Sequence, residues 1–240
     1  MKTIRFKFKL IIFLVCAILV IVLIMFSPLF NFEYVTVSGN FQIETDEILE
    51  RAGLDDYTNF FLFNTSRARR NILENLYIEQ VVINRTFPDT VEIIVQERFL
   101  SGFIEHLEGM FLYIDENGRV LDVRSYRAED LPIITGLRFT RFQLGQTLEV
   151  DNPDAFSTVV TYSRLLNRHG LVDIVTQLDV SNHNNARLRL YDIEVYLGDT
   201  VNAHHKILTL REIVTVWPMI QEIRGILDLR GSEYIFRKIT

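Results

Sequence analysis

The sequence predicts an α+β protein with a single N-terminal transmembrane helix, a small β-α-α-β-β module, and then a β-sheet domain with flanking helices. Three observations predict it. Residues 10–26 are 17 consecutive apolar residues, longer than the runs of about 10–14 typical of core helices. Between Phe32 and Arg98 the apolar spacing changes from every second residue to every third or fourth, and back again. From Phe99 onward, short alternating runs separated by Gly, Pro, Asn and Asp predominate. The expected organisation is a cytoplasmic tail over 1–9, a transmembrane helix over 10–30, the small module over 31–98 and the β domain over 99–240.

The charge pattern orients the first two segments. Lys2, Arg5, Lys7 and Lys9 precede the apolar run without an acidic residue; after it, 21 basic residues face 31 acidic ones, a net charge of −10. Cationic residues stay on the cytoplasmic side, so residues 31–240 are expected outside the cytoplasm, on a single-pass protein of the cell (inner) membrane. An acidic exported body excludes nucleic-acid binding, which needs clustered Lys and Arg against phosphate. Extended to Phe30 across Ser27 and Pro28, the run of 21 residues reaches roughly 31 Å, about the hydrocarbon thickness of a bilayer. A cleaved signal peptide has a shorter core, followed by small residues at the cut. Met25, Phe26, Leu29 and Phe30 offer no such pattern. Cys16, the sole cysteine, lies in mid-run after Val15, which suits neither a lipoprotein nor disulfide chemistry.

The small module opens with FNFEYVTVSGN, where Phe32 and Tyr34 alternate with Val35 and Val37 and Ser-Gly-Asn forms the turn. Thr45 is placed to cap a helix whose Asp46 and Glu47 complement its N-terminal dipole, with Ile48, Leu49 and Ala52 inward and Gly53 at its end. Ser66 is placed to cap a second helix through Leu76, with Ile72, Leu73 and Leu76 as its stripe. In YIEQVVINRTFPDTVEIIVQER, two strands flank a Pro88-Asp89 turn, with Val91, Ile93 and Val95 on one face.

The β domain contains MFLYIDENGRVLDV, a hairpin turning at Glu116-Asn117-Gly118, and LPIITG, a short strand bounded by Pro132 and Gly136. Asn152-Pro153 starts a helix whose stripe is Phe156, Val159, Val160, Ser163 and Leu166 and which ends at Gly170. The strands DIVTQLDVS, ARLRLYD and IEVYLGD follow. A helix over 203–216 turns Ile207, Leu210, Val214 and Trp217 inward until Pro218. GILDLRGSEYIFRKIT closes the chain as one more strand, with Leu227 and Leu229 on its core face.

Residue chemistry assigns no catalytic, cofactor-binding or metal-ligating residue. There is no glycine-rich phosphate loop, G-x-S-x-G elbow or H-E-x-x-H motif. His204 and His205 are adjacent, and neighbours on a helix point about 100° apart, which rarely serves one metal ion. Asp192 and Glu194 alternate with apolar neighbours as on a solvated strand face. Arg67, Arg69 and Arg70 suit a solvated helix face, with anion binding such as lipid headgroups as the rival reading.

Taken together, the pieces resemble one family. A basic tail, one span and VTVSGN (Val35, Val37, Gly39, Asn40) resemble the entrance to a POTRA domain. RTFPDTVEIIVQER resembles its end, through Arg85, Pro88, Asp89, Thr90, Ile93, Val95, Glu97 and Arg98. YIDENGRVL (Tyr113, Asp115, Gly118), LPIITG (Leu131, Pro132, Gly136) and a closing DLR (Asp228, Leu229, Arg230) narrow the resemblance to the bacterial cell-division family FtsQ, called DivIB in Gram-positive bacteria.

The resemblance implies a non-enzymatic divisome scaffold, enriched at the division septum, with no cofactor and no small-molecule substrate. Its implied partners are an FtsB (or DivIC) and FtsL type coiled-coil pair, added as a strand alongside the last strand. The implied partner-binding residues are Asp228, Arg230, Ser232, Glu233, Tyr234, Ile235 and Phe236. An unbroken alternation makes Arg230, Tyr234 and Phe236 exposed anchors on the face opposite Leu227 and Leu229, and a shifted register packs Tyr234 and Phe236 inside instead. Gly231 stands where the proteobacterial pattern has an aromatic residue. Two other readings compete with this one. A POTRA-bearing export protein would need a lipid-facing barrel, which about 140 residues with two helices fit poorly. A membrane-anchored hydrolase would need a catalytic constellation.

Overall fold

The computed structural model describes residues 2–107, 109–216, 223–231 and 233–239, with side chains from residue 9 onward. The chain forms two compact units, Met1–Arg98 and Phe99–Thr240.

The first unit begins with α1, Lys2–Met25. Its described apolar side chains are exposed almost throughout, from Leu10 at 49% to Ile24 at 51%. Side chains are described for residues 9–25 of this helix, a length of about 26 Å at 1.5 Å per residue. Among the described residues, no helix is long and apolar enough to cross a membrane.

After a single turn of 3-10 helix at Pro28–Phe30 come β1 (Tyr34–Ser38), α2 (Thr45–Ala52), α3 (Thr65–Leu73), β2 (Ile78–Thr86) and β3 (Thr90–Glu97). This is the expected β-α-α-β-β order. The sheet order is β1-β3-β2, with β1 parallel to β3 and β2 antiparallel to it. Alternation on β3 turns Val91, Ile93 and Val95 onto Ile48, Ala52, Ala68 and Ile72 of the two helices, all of them buried. Gly39 allows the close turn after β1. Its φ is +84°, and a Cβ there would lie 2.0 Å from the Val95 carbonyl oxygen.

Two expected caps fall elsewhere. Thr45 is the first helical residue rather than the cap, and its hydroxyl accepts from the Asn40 side chain at 3.3 Å. The loop before α2 is held from across the sheet. Buried Glu97 accepts the backbone N–H groups of Phe41 (2.8 Å), Gln42 (3.0 Å) and Ile43 (3.0 Å). For α3 the cap is Asn64, which accepts from the Arg67 amide at 3.0 Å, so Ser66 sits inside the first turn.

The second unit comprises β4 (Leu100–Leu107), β5 (Met110–Asp115), β6 (Val120–Arg124), β7 (Ile133–Thr135), α4 (Pro153–His169), β8 (Val175–Asp179), β9 (Ala186–Leu190), β10 (Ile193–Gly198), α5 (Ala203–Val216), β11 (Gly225–Asp228) and β12 (Ile235–Lys238). Among the described residues the strands form one sheet in the order β12-β11-β10-β9-β8-β7-β4-β5-β6. Val159, Tyr162 and Leu166 of α4 join Ile207 and Leu210 of α5 in one core with Leu188, Val195, Leu227 and Leu229 of the sheet. Asn152 caps α4 by accepting from the amides of Asp154 and Ala155, Pro153 takes the first helical position, and Gly170 closes the helix in the left-handed region. Fully buried Tyr162 belongs to the inward stripe, which the sequence reading had passed over, while Phe156 and Val160 are half-buried. Trp217 and Pro218 lie outside the described residues.

Candidate partner-binding edge

The C-terminal end of the sheet is built by a crossover. From β10 the chain turns at Asp199–Asn202, runs through α5 and returns as β11, parallel to β10. The turn is pinned from two sides. The Tyr162 hydroxyl donates to the Asp199 carbonyl at 2.7 Å, and the buried Lys206 ammonium donates to the same carbonyl at 2.9 Å. Burial and the nearby Asp199 charge push the Tyr162 phenol up, so it stays a donor.

The closing segment is not one strand. It folds back on itself, with Gly225↔Lys238, Ile226↔Arg237, Leu227↔Phe236 and Asp228↔Ile235 paired antiparallel, so β12 becomes the outermost strand beside β11. The single alternation expected over 226–237 is therefore replaced by two separate registers. Leu227 and Leu229 are buried as expected. Phe236, opposite Leu227, and Tyr234 are only half-exposed and pack against the core, which corrects their assignment as exposed anchors. The Tyr234 ring lies 6.0 Å from that of His205 on α5. The exposed side chains after the turn, among the described residues, are Glu233, Ile235, Arg237, Lys238 and Ile239, with Ile235 at 52%. Ser232 lies outside the described residues. The signal for the hairpin was Gly231, a turn former between two apolar runs.

Backbone geometry defines the edge. The Ile239 amide donates to the Arg224 carbonyl at 2.9 Å. Bonded pairs alternate with unbonded ones in an antiparallel ladder, so Ile235 and Arg237 also bond inward while Phe236 and Lys238 turn their backbone groups to the outer edge.

Before the hairpin turn, Arg230 is held in place. Its guanidinium forks onto Asp228 at 2.8 and 2.5 Å, donates to the Asn185 side chain at 3.2 Å and lies 4.9 Å over the Tyr196 ring. Hydrogen bonding from Arg230 holds the Asp228 carboxyl below the ordinary carboxylate range. The sequence reading missed Tyr196 and Asn185, which meet Arg230 only through strand pairing and the loop before β9.

Elsewhere, His204 packs 5.3 Å from the ring of His169, and His205 faces Tyr234. Among the described residues, no group of three or more His, Cys, Asp or Glu side chains is arranged to hold a metal ion. Glu194 accepts from Arg187 at 3.1 Å and does not pair with Asp192. Arg67, Arg69 and Arg70 are exposed on α3.

Comparison with known proteins matches both units. The family described as POTRA domain, FtsQ-type, matches residues 30–98. The family described as cell division protein FtsQ/DivIB, C-terminal, matches residues 103–230, ending before β12. The cell division protein DivIB of Clostridium acetobutylicum is 30% identical over 168 residues, which is 70% of this chain but 61% of that relative's length. DivIB of Clostridium botulinum strain Hall is 26% identical over 227 residues, covering 94% of this chain and 88% of the relative. Cell division protein FtsQ of Rhizobium meliloti is 33% identical over 108 residues, covering 45% of this chain and 35% of the relative.

Proposed function

This chain belongs to the FtsQ/DivIB family of cell-division proteins, and we propose on that footing that it is a non-enzymatic, membrane-anchored divisome scaffold. In this reading α1, with the apolar sequence that continues to Phe30, is a single-pass anchor with residues 1–9 in the cytoplasm. The exported body then gathers at the division septum. Its partners are an FtsB/DivIC and FtsL type coiled-coil pair, one of whose segments adds as a strand outside β12.

The observation that carries the reading is the position of β12. It is the terminal strand of the sheet, with the backbone groups of Lys238 directed outward and an exposed Ile235 beside them. Such an edge is a template for another strand, with main-chain bonds supplying affinity and alternate side chains supplying specificity. Arg230, Asp228 and Tyr196 stiffen the approach to the hairpin, while Glu233, Ile235 and Arg237 offer side-chain contacts. Tethering scaffold and partners to one membrane raises their effective concentration, so a modest edge suffices. The test is capture of the exported part of the coiled-coil pair by the full chain, compared with a chain ending at Arg230. Equal capture by a folded truncated chain would remove β12 from the reading.

A further inference from the structure

The first unit carries an apolar collar where α1 ends. Phe26 is 57% exposed, Leu29 78%, Leu62 60% and Phe87 62%. Aromatic rings knit the collar together, with Phe30 centred 5.2 Å from Phe61 and 5.7 Å from Phe87. Core packing does not explain this group, since these side chains keep much of their apolar surface in the open.

The collar is fixed to the helix. The Asn59 side-chain amide, itself buried, donates to the carbonyls of Met25 and Ser27, both at 3.2 Å. The amide of Phe60 donates to the Phe30 carbonyl at 2.7 Å, and that of Phe32 to the Thr58 carbonyl at 3.0 Å. The loop carrying Phe61 and Leu62 is thereby held to the last turn of an apolar helix. On the same side the Asp89 carbonyl receives the amide of Glu33, which places the Phe87 turn beside the start of β1. From there β1 leads away for five residues, about 17 Å. The loop of Phe41, bound by Glu97, therefore lies at the opposite pole of this unit. Tyr57, Leu62 and the exposed Arg67 line one shallow cleft, together with the polar side chains of Asn64 and Asn71.

We propose that this collar is an interfacial seat that inserts into the outer leaflet of the bilayer, with Arg67 facing lipid phosphate. The proposal rests on the anchoring of α1 in the membrane. Aromatic residues concentrate at membrane–water interfaces, and an apolar surface continuous with a spanning helix arrives at that depth with no further ordering cost. A seat of this kind fixes the tilt of the first unit, where a bare helix would leave it to swivel.

The test uses the full chain in vesicles of phosphatidylethanolamine and phosphatidylglycerol with brominated acyl chains. Trp217 is the sole tryptophan, so Trp217→Phe provides a dark background for Phe61→Trp, Leu62→Trp and, at the far pole, Phe41→Trp. Tryptophan at 61 and 62 should shift to the blue and lose most of its emission to bromine, while tryptophan at 41 should keep its own. Protein that survives an alkaline carbonate wash yet shows equal quenching at 41, 61 and 62 overturns the seat and leaves the anchor standing. Protein released by the wash overturns the anchor and the seat together.

Discussion

Leu227 lies directly opposite Phe236 across the terminal hairpin. Leu227 is buried and Phe236 packs against the same core, so this pair fastens β12 to the body of the second unit. It follows that the side chains available to a partner are those on the other face and along the edge, chiefly Ile235 and Arg237. Phe236→Ala should destabilise the hairpin, at about 1–3 kcal/mol for a half-buried ring. Ile235→Thr, which keeps a β-branched side chain opposite Asp228, should leave unfolding nearly unchanged and weaken partner capture. Denaturant unfolding and binding, measured on both variants, separate the two roles. Equal loss of stability would place Ile235 in the core.

Backbone chemistry gives a sharper contrast. Lys238→Pro removes a donor that faces outward, while Arg237→Pro removes one bonded to β11. The first should fold normally and bind the coiled-coil pair about 1 kcal/mol more weakly, the worth of one hydrogen bond. The second should unpair the hairpin. Hydrogen exchange in β11 reports which has happened, and a hairpin lost in both variants would refute the alternation.

Glu97 supports the first unit from a distance. Its carboxylate accepts three consecutive backbone amides before α2. Glu97→Ala leaves those donors to water and should cost about 2–3 kcal/mol. Glu97→Gln keeps one acceptor oxygen and should cost less. The local readout is exchange of the amides of Phe41, Gln42 and Ile43. If those amides remain protected in Glu97→Ala, the loop is held by something else.

The contact between α4 and α5 should be acid-sensitive. Both ring nitrogens of His169 are buried without a hydrogen-bond partner among the described residues. Burial, and then the charges of His204, Arg211 and Arg168, lower its pKa below the usual histidine value. The unfolded chain therefore takes up this proton more readily. The stability is present above a pH of about 6.5 and is lost as the pH falls through the lowered folded value. His169→Leu should flatten the fall in unfolding midpoint between about pH 7 and pH 5. An unchanged slope would assign the acid sensitivity to other groups.

Local signals in the sequence were legible wherever the structure obeys local chemistry. Asn152-Pro153 and Gly170 bracket α4 because capping and the left-handed closing turn are decided within a few residues. Gly118 turns the hairpin between β5 and β6 with a φ of +73°. The alternation of Val91, Ile93 and Val95 identified the core face of β3. The start of α3 was displaced by two residues because two good cappers, Asn64 and Ser66, stand near one another, and that of α2 by one because the Thr45 hydroxyl is engaged by Asn40. Contacts between distant residues were not legible. Glu97 reaches a loop 56 residues away and Tyr162 reaches Asp199 across 37, so nothing near either residue announces its partner. At the candidate edge, Asp228 and Arg230 could be singled out, but the reversal after Gly231 was read as a continuous strand. That reading turned Tyr234 and Phe236 outward, kept Ile235 among the partner-binding residues and left Arg237 out of them.

Strand addition outside β12 is tested most directly by amide exchange of the full chain with and without the exported coiled-coil pair. The Lys238 amide faces the outer edge and should gain strong protection when the pair binds, while those of Arg237 and Ile239, already bonded to the neighbouring strand, should change little. Tight binding of the pair with exchange at Lys238 unchanged would contradict the account, because the partner would then be docking on another surface.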